Sequence, residues 1–189
     1  DGVCADMAHL TRRMVVSVDY RLAPEYKFPA APEDCYAVAR EIYLNDSLLG
    51  TRPEEIALIG DSAGGNLAAA VSLMARDRGE FLPAKQILIY PATAADHSET
   101  SPFPSVHENG TDYLLTSKRV CDYMDLYRSG DEDLHNPYFA PLQAADFRDQ
   151  PDTLIITAEY CPLRDEAEEY GHRLMKAGNR VMIRRIPDA

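Results

Sequence analysis

No apolar run in the 189 residues approaches the roughly 20 that a membrane-spanning helix needs, which argues against membrane insertion. Positive charge is also scarce: 19 Lys and Arg stand against 31 Asp and Glu, a formal net charge of -12. That balance argues against nucleic acid and against an anionic membrane surface as partners. The four cysteines, Cys4, Cys35, Cys121 and Cys161, lie far apart with no C-x-x-C pair. Neither a structural zinc site nor a disulfide framework is implied, and they read as free thiols of a reducing compartment, the cytoplasm. No group of histidines and carboxylates has ligand spacing, so no metal and no other cofactor is expected. Repeats, linkers and low-complexity stretches are absent too. What remains, 46% apolar and 26% charged residues, is the composition of one globular domain with a sizeable core.

The positive signal is concentrated in residues 55–77, E-IALIG-D-S-A-G-G-N-LAAAVSLMARD. Ile56-Ala57-Leu58-Ile59 is a short unbroken apolar run, the signature of a strand buried on both faces of a parallel sheet. Leu67, Ala70, Val71 and Met74 then recur at helical spacing up to Gly79. Between them lies Gly60-Asp61-Ser62-Ala63-Gly64, a G-x-S-x-G. Strand, G-x-S-x-G and helix follow in the order of a nucleophile elbow, which turns sharply and lifts one hydroxyl above the sheet edge. The pattern alone arises readily by chance; the flanking strand and helix make it informative. Gly60 and Gly64 are expected where side chains would collide, and Ser62 in a strained backbone conformation. At a helix N-terminus the N–H of Ala63, with that of Gly64, can donate to a developing oxyanion.

Along the rest of the chain, residues 3–13 read as a helix carrying His9, and 14–18 as a second buried strand rich in β-branched residues. Residues 19–32 read as loop, and a helix opens at Pro32 and runs to about Leu49. Residues 86–90 form a further strand. Residues 92–111 are polar and irregular, and His97 and His107 within them read as solvent-exposed loop histidines. A helix spans 117–128 with Val120, Met124 and Tyr127 on one face. After a loop carrying His135 come a strand at 153–158, a helix at 164–177 carrying His172, and a last strand at 180–186 with polar residues interleaved as at a sheet edge. Strands alternating with helices imply an α/β domain with a mostly parallel sheet.

Three stretches together carry a resemblance: D-Y-R-L-A-P-E-Y-K-F-P-A-A-P-E-D at 19–34, G-D-S-A-G-G-N-L-A at 60–68 and T-A-E-Y-C-P-L-R-D-E at 157–166. They resemble the hormone-sensitive-lipase family of α/β-hydrolase esterases, and H-E-N-G-T-D-Y-L-L-T at 107–116 resembles its acetyl-esterase branch. The resemblance implies an α/β-hydrolase fold, with a mostly parallel sheet flanked by helices. It also implies hydrolysis of short- to medium-chain carboxylic esters through an acyl-enzyme on Ser62. Tyr113 and Leu114 are the implied pocket residues. The last strand is implied to pair with its copy in a homodimer.

Three departures qualify what the resemblance implies. The family's H-G-G-G oxyanion motif would precede Asp1, and its catalytic histidine would follow Ala189; the chain therefore reads as an internal piece, incomplete at both ends and by itself inactive. The family's acid, an Asp, falls where this chain has Cys161. A thiol with an ordinary pKa of about 8.5 is largely neutral at pH 7 and orients an imidazole poorly. Glu159, two residues back on the same strand end, and Asp165, one helical turn on, are the substitute acids; Asp165 otherwise reads as a helix N-terminal carboxylate. Cys161 therefore leaves open an alternative of a different class, a non-catalytic binding protein for small ligands on the same scaffold.

Overall fold

The computed structural model describes residues 2–189; Asp1 lies outside the described residues. Helix α1 (Gly2–Thr11) is followed by an extended segment and then by α2 (Ala30–Leu44) and the short α3 (Asp46–Leu49). The central part runs β1 (Ala57–Asp61), α4 (Ala63–Arg78), β2 (Lys85–Ile89), the short α5 (Pro104–Glu108) and α6 (Ser117–Tyr127). It closes with β3 (Asp152–Ala158), α7 (Arg164–Lys176) and β4 (Val181–Ile186). The four strands lie in the order β1-β2-β3-β4 and every neighbouring pair is parallel.

In-register residues of parallel neighbours point to the same face. Leu58, Leu88, Ile155, Val181 and Ile183 therefore share a face, and on it pack Ala68 and Ala69 of α4 and Ala167, Tyr170 and Leu174 of α7. Helix α2 packs behind α4, where Tyr36, Ala39 and Tyr43 meet Val71, Met74 and Ala75. The opposite face of the sheet carries Ile59, Ile87, Ile89, Leu154, Ile156 and Met182, none of them fully buried.

Several expectations need correction. The elbow strand is not buried on both faces: among the described residues β1 pairs with β2 alone, and Ile59 is 40% exposed. Residues 14–18 form no strand, and Met14 and Val16 are exposed. Their β-branched side chains favour extended backbone, but a strand also needs a neighbour to pair with, and none of the described strands lies beside them. The helix expected from Pro32 to Leu49 starts at Ala30 and breaks at Asn45, whose φ of -121° and ψ of 79° are not helical. The irregular 92–111 stretch contains α5, with Pro104 at its start.

Candidate active site

Ser62 sits between β1 and α4 with φ 52° and ψ -116°, a positive φ that a side-chain-bearing residue adopts only under constraint. Backbone bonds hold it there: its N–H donates to the Ile89 carbonyl at 2.9 Å, and its carbonyl accepts from Asn66 N–H at 3.0 Å. A Cβ on Gly60 would run into the backbone carbonyl of Gly64, and one on Gly65 would come within 2.9 Å of the Pro91 Cβ. Gly64 meets nothing within 4 Å, so the crowding expected at Gly60 and Gly64 falls instead on Gly60 and Gly65. Ala63 and Gly64 open α4, where N–H groups have no intrahelical acceptor and the helix dipole favours negative charge.

Ser62 and Ala63 border a cavity of about 250 Å³. Its wall is largely apolar: Leu22, Ala92, Ala94, Leu115, Met124 and Leu163 are among the residues that form it. Leu115 reaches this wall, whereas the expected Tyr113 and Leu114 do not. Leu114 is 93% exposed, and Tyr113 stacks on Tyr160 with ring centroids 5.5 Å apart. The segment is the expected one, but a loop residue's direction is set by contacts that spacing does not encode. Asn66 carries no signal of its own in the sequence. Its amide donates to the Ala92 and Phe139 carbonyls, both at 2.8 Å, tying the loop after β2 to α4 beside Ser62.

The three acid candidates have different surroundings. Burial pushes the Cys161 thiol up, outweighing the lowering by the Leu163 N–H, so it stays neutral near pH 7. For Asp165 burial acts upward, but the Arg164 guanidinium and the Ser105 N–H outweigh it and hold the carboxyl below its usual range. Asp165 Oδ2 accepts from Ser105 N–H at 2.8 Å and Oδ1 from Arg164 at 2.7 Å, the contacts of a helix N-terminal carboxylate. Glu159 reaches the turn after β4, where its Oε2 accepts from the Asp188 N–H at 2.9 Å. Two further bonds join the same segments: Glu159 N–H to the Ile186 carbonyl, 3.1 Å, and Tyr160 N–H to the Ala189 carbonyl, 2.8 Å. The buried Asn109 amide donates to the carbonyls of Glu159 and Cys161 at 3.2 and 3.4 Å, steadying this turn; it lies in the 107–116 stretch, but nothing in the sequence singles it out for this contact.

None of the five histidines lines the cavity. His9, His107, His135 and His172 are exposed, and His107 Nε2 bonds the Ser101 carbonyl at 2.9 Å. His97 overturns its expectation. It is buried, with Nε2 2.5 Å from Glu166 Oε2, and both side chains are within 1% of complete burial. Sequence offers no signal for this pair, since its members are 69 residues apart. Among the described residues no group of three or more His, Cys, Asp or Glu could hold a metal ion, and no helix is long and apolar enough to cross a membrane.

The sequence profile of the alpha/beta hydrolase fold matches residues 1–189. Among curated relatives, an arylesterase of Saccharolobus solfataricus is 40% identical over 179 residues, covering 94% of this chain and 57% of its own length. The esterase LipI of Mycobacterium tuberculosis is 41% identical over 185 residues, covering 97% of this chain and 56% of its own. Among solved structures, a hyperthermophilic esterase from the archaeon Pyrobaculum calidifontis matches with a TM-score of 0.92 and 45% identity, over 99% of this chain and 61% of that one. The chain spans little more than half the length of the curated relatives it matches.

Proposed function

The chain belongs to the alpha/beta hydrolase fold family, in its hormone-sensitive-lipase esterase branch, and on that premise we propose that Ser62 is the nucleophile of a carboxylic-ester hydrolase. The observation that carries the reading is Ser62 held at positive φ at the mouth of an apolar cavity, on the N-terminus of α4. Ser62 Oγ attacks the ester carbonyl. The N–H groups of Ala63 and Gly64 receive the developing oxyanion, where a preorganised donor is worth about 3–4 kcal/mol. The alcohol leaves, and water cleaves the acyl-enzyme, returning the proton to Ser62. The apolar wall suits a short to medium acyl chain.

Two further parts of the machinery complete the reading, the first of them implied by the family resemblance. With no histidine of this chain on the cavity, we assign the general base to sequence beyond residues 1–189, in keeping with relatives of nearly twice the length. The orienting acid is Glu159. Asp165 is committed to Arg164 and Ser105, and the Cys161 thiol is neutral, whereas Glu159 already reaches the turn after β4. The non-catalytic alternative rested on Cys161, and a second carboxylate at the same turn removes that ground. Among the described residues no strand pairs with the outer edge of β4, so it can pair with a second copy; Arg184 beside Arg185 keeps that edge from unselective pairing. The four cysteines are free thiols, which suits the cytoplasm.

Hydrolysis of p-nitrophenyl butyrate by the natural full-length protein, beside its Ser62→Ala variant, tests the reading. Turnover lost in the variant supports it, and equal turnover in both overturns it.

A further inference from the structure

His97 lies where the loop after β2, helix α6 and the first turn of α7 meet. Its Nε2 stands 2.5 Å from Glu166 Oε2, and its Nδ1 stands 3.2 Å from the thioether sulfur of Met124. Glu166 Oε1 meanwhile accepts from two backbone N–H groups, Thr93 at 2.6 Å and Ala94 at 3.0 Å. An ionised carboxylate and a thioether are acceptors only. A neutral imidazole would therefore turn a bare lone pair toward one of them, whereas an imidazolium donates to both. The charged groups acting on His97 are Glu166 of α7 and Asp96 of its own segment; α6 presents the uncharged Met124 to it and carries the Cys121 thiol near Asp96.

The groups so joined matter for the cavity beside Ser62. Ala94 and Met124 form part of its wall, and Leu163 of the same wall lies three residues before Glu166. Among the described residues, His97 is the side chain that ties Met124 to Glu166.

We propose that His97 is a buried imidazolium that bridges Glu166 and Met124 and so positions the acyl-facing wall of the Ser62 cavity. It is a positioning residue and does not touch the reacting atoms. The inference rests on the reading of that cavity as the ester site.

Two measurements on the natural full-length protein test it. The first is the ¹⁵N spectrum of the His97 ring at pH 7. Two protonated nitrogens are expected, with one reverting to the neutral pattern in Glu166→Gln; a neutral ring in the parent overturns the proposal without any variant having to fold. The second is binding of p-nitrophenyl butyrate, followed by isothermal titration calorimetry, in Ser62→Ala and in Ser62→Ala with His97→Gln. About fivefold weaker binding in the double variant is expected, and equal binding overturns the positioning role. Should His97→Gln not fold, Met124→Leu, which keeps the volume and removes the acceptor, takes its place. Absence of binding in both backgrounds overturns the ester reading of the cavity, and this inference with it, and is distinct from equal binding.

Discussion

At the residue scale the carboxylates differ in their partners: Asp165 is paired with Arg164, whereas Glu159 accepts from the Asp188 N–H beside the end of β4. If Glu159 orients the base, Glu159→Gln lowers kcat for p-nitrophenyl butyrate by on the order of 10³–10⁴, as loss of a triad acid does elsewhere. Cys161→Asp alone then changes kcat little, and restores much of the loss in the Glu159→Gln background. An unchanged kcat in Glu159→Gln contradicts the assignment. His97 adds a pH dependence of a definite sign. Burial pushes its pKa down, but Glu166 and Asp96 outweigh this, so the folded value is raised. A raised histidine pKa contributes stability that is complete below the unfolded value, about 6.5, and is lost as pH rises through the folded value. The urea midpoint is therefore expected to fall between pH 6 and pH 9. Removing one partner of a buried pair is costly, and His97→Leu, which strands Glu166, is expected to lose about 3–5 kcal/mol in the same assay.

At the scale of elements, the junction of β1 and α4 carries the sharpest steric contrast. A methyl group on Gly60 meets backbone, which cannot swing away, whereas one on Gly64 meets open space. Gly60→Ala is expected to cost about 3 kcal/mol or more in urea unfolding. Gly64→Ala is expected to stay within about 1 kcal/mol of the parent, helped by the better helix propensity of alanine. Equal effects would contradict this turn geometry. The junction was legible in the sequence because strand run, G-x-S-x-G and helical periodicity are all local. So were α4, α6, α7, β2, β3 and the edge position of β4. Residues 14–18 misled for the opposite reason: their apolar β-branched run states a preference, while strand formation depends on a neighbour that local sequence does not name. The same holds for Asn66, Asn109 and the His97–Glu166 pair, whose partners lie 26 to 73 residues away. No spacing rule reaches that far.

At the scale of the whole molecule, the sheet is asymmetric. One face is closed by α4 and α7, and the other exposes Ile59 and Met182 and only partly covers Ile87, Ile89, Leu154 and Ile156. Apolar surface of this kind associates, so residues 1–189 expressed alone are expected to self-associate in a concentration-dependent way, read by light scattering. A monodisperse monomer across the concentration range would contradict that. The net charge of -12 opposes unselective association but does not remove it. The same asymmetry fits a chain that spans little more than half of its relatives, and it leaves the elbow, the cavity and the turn carrying Glu159 assembled within residues 2–189. The central claim is that Ser62 is a nucleophile, and the most direct measurement is trapping of the acyl-enzyme. The natural full-length protein, mixed with p-nitrophenyl acetate and quenched in acid, is digested and mass-analysed. The account predicts an acetyl group on the peptide containing Ser62, absent in Ser62→Ala. Turnover without that adduct, or with it undiminished in Ser62→Ala, would contradict it.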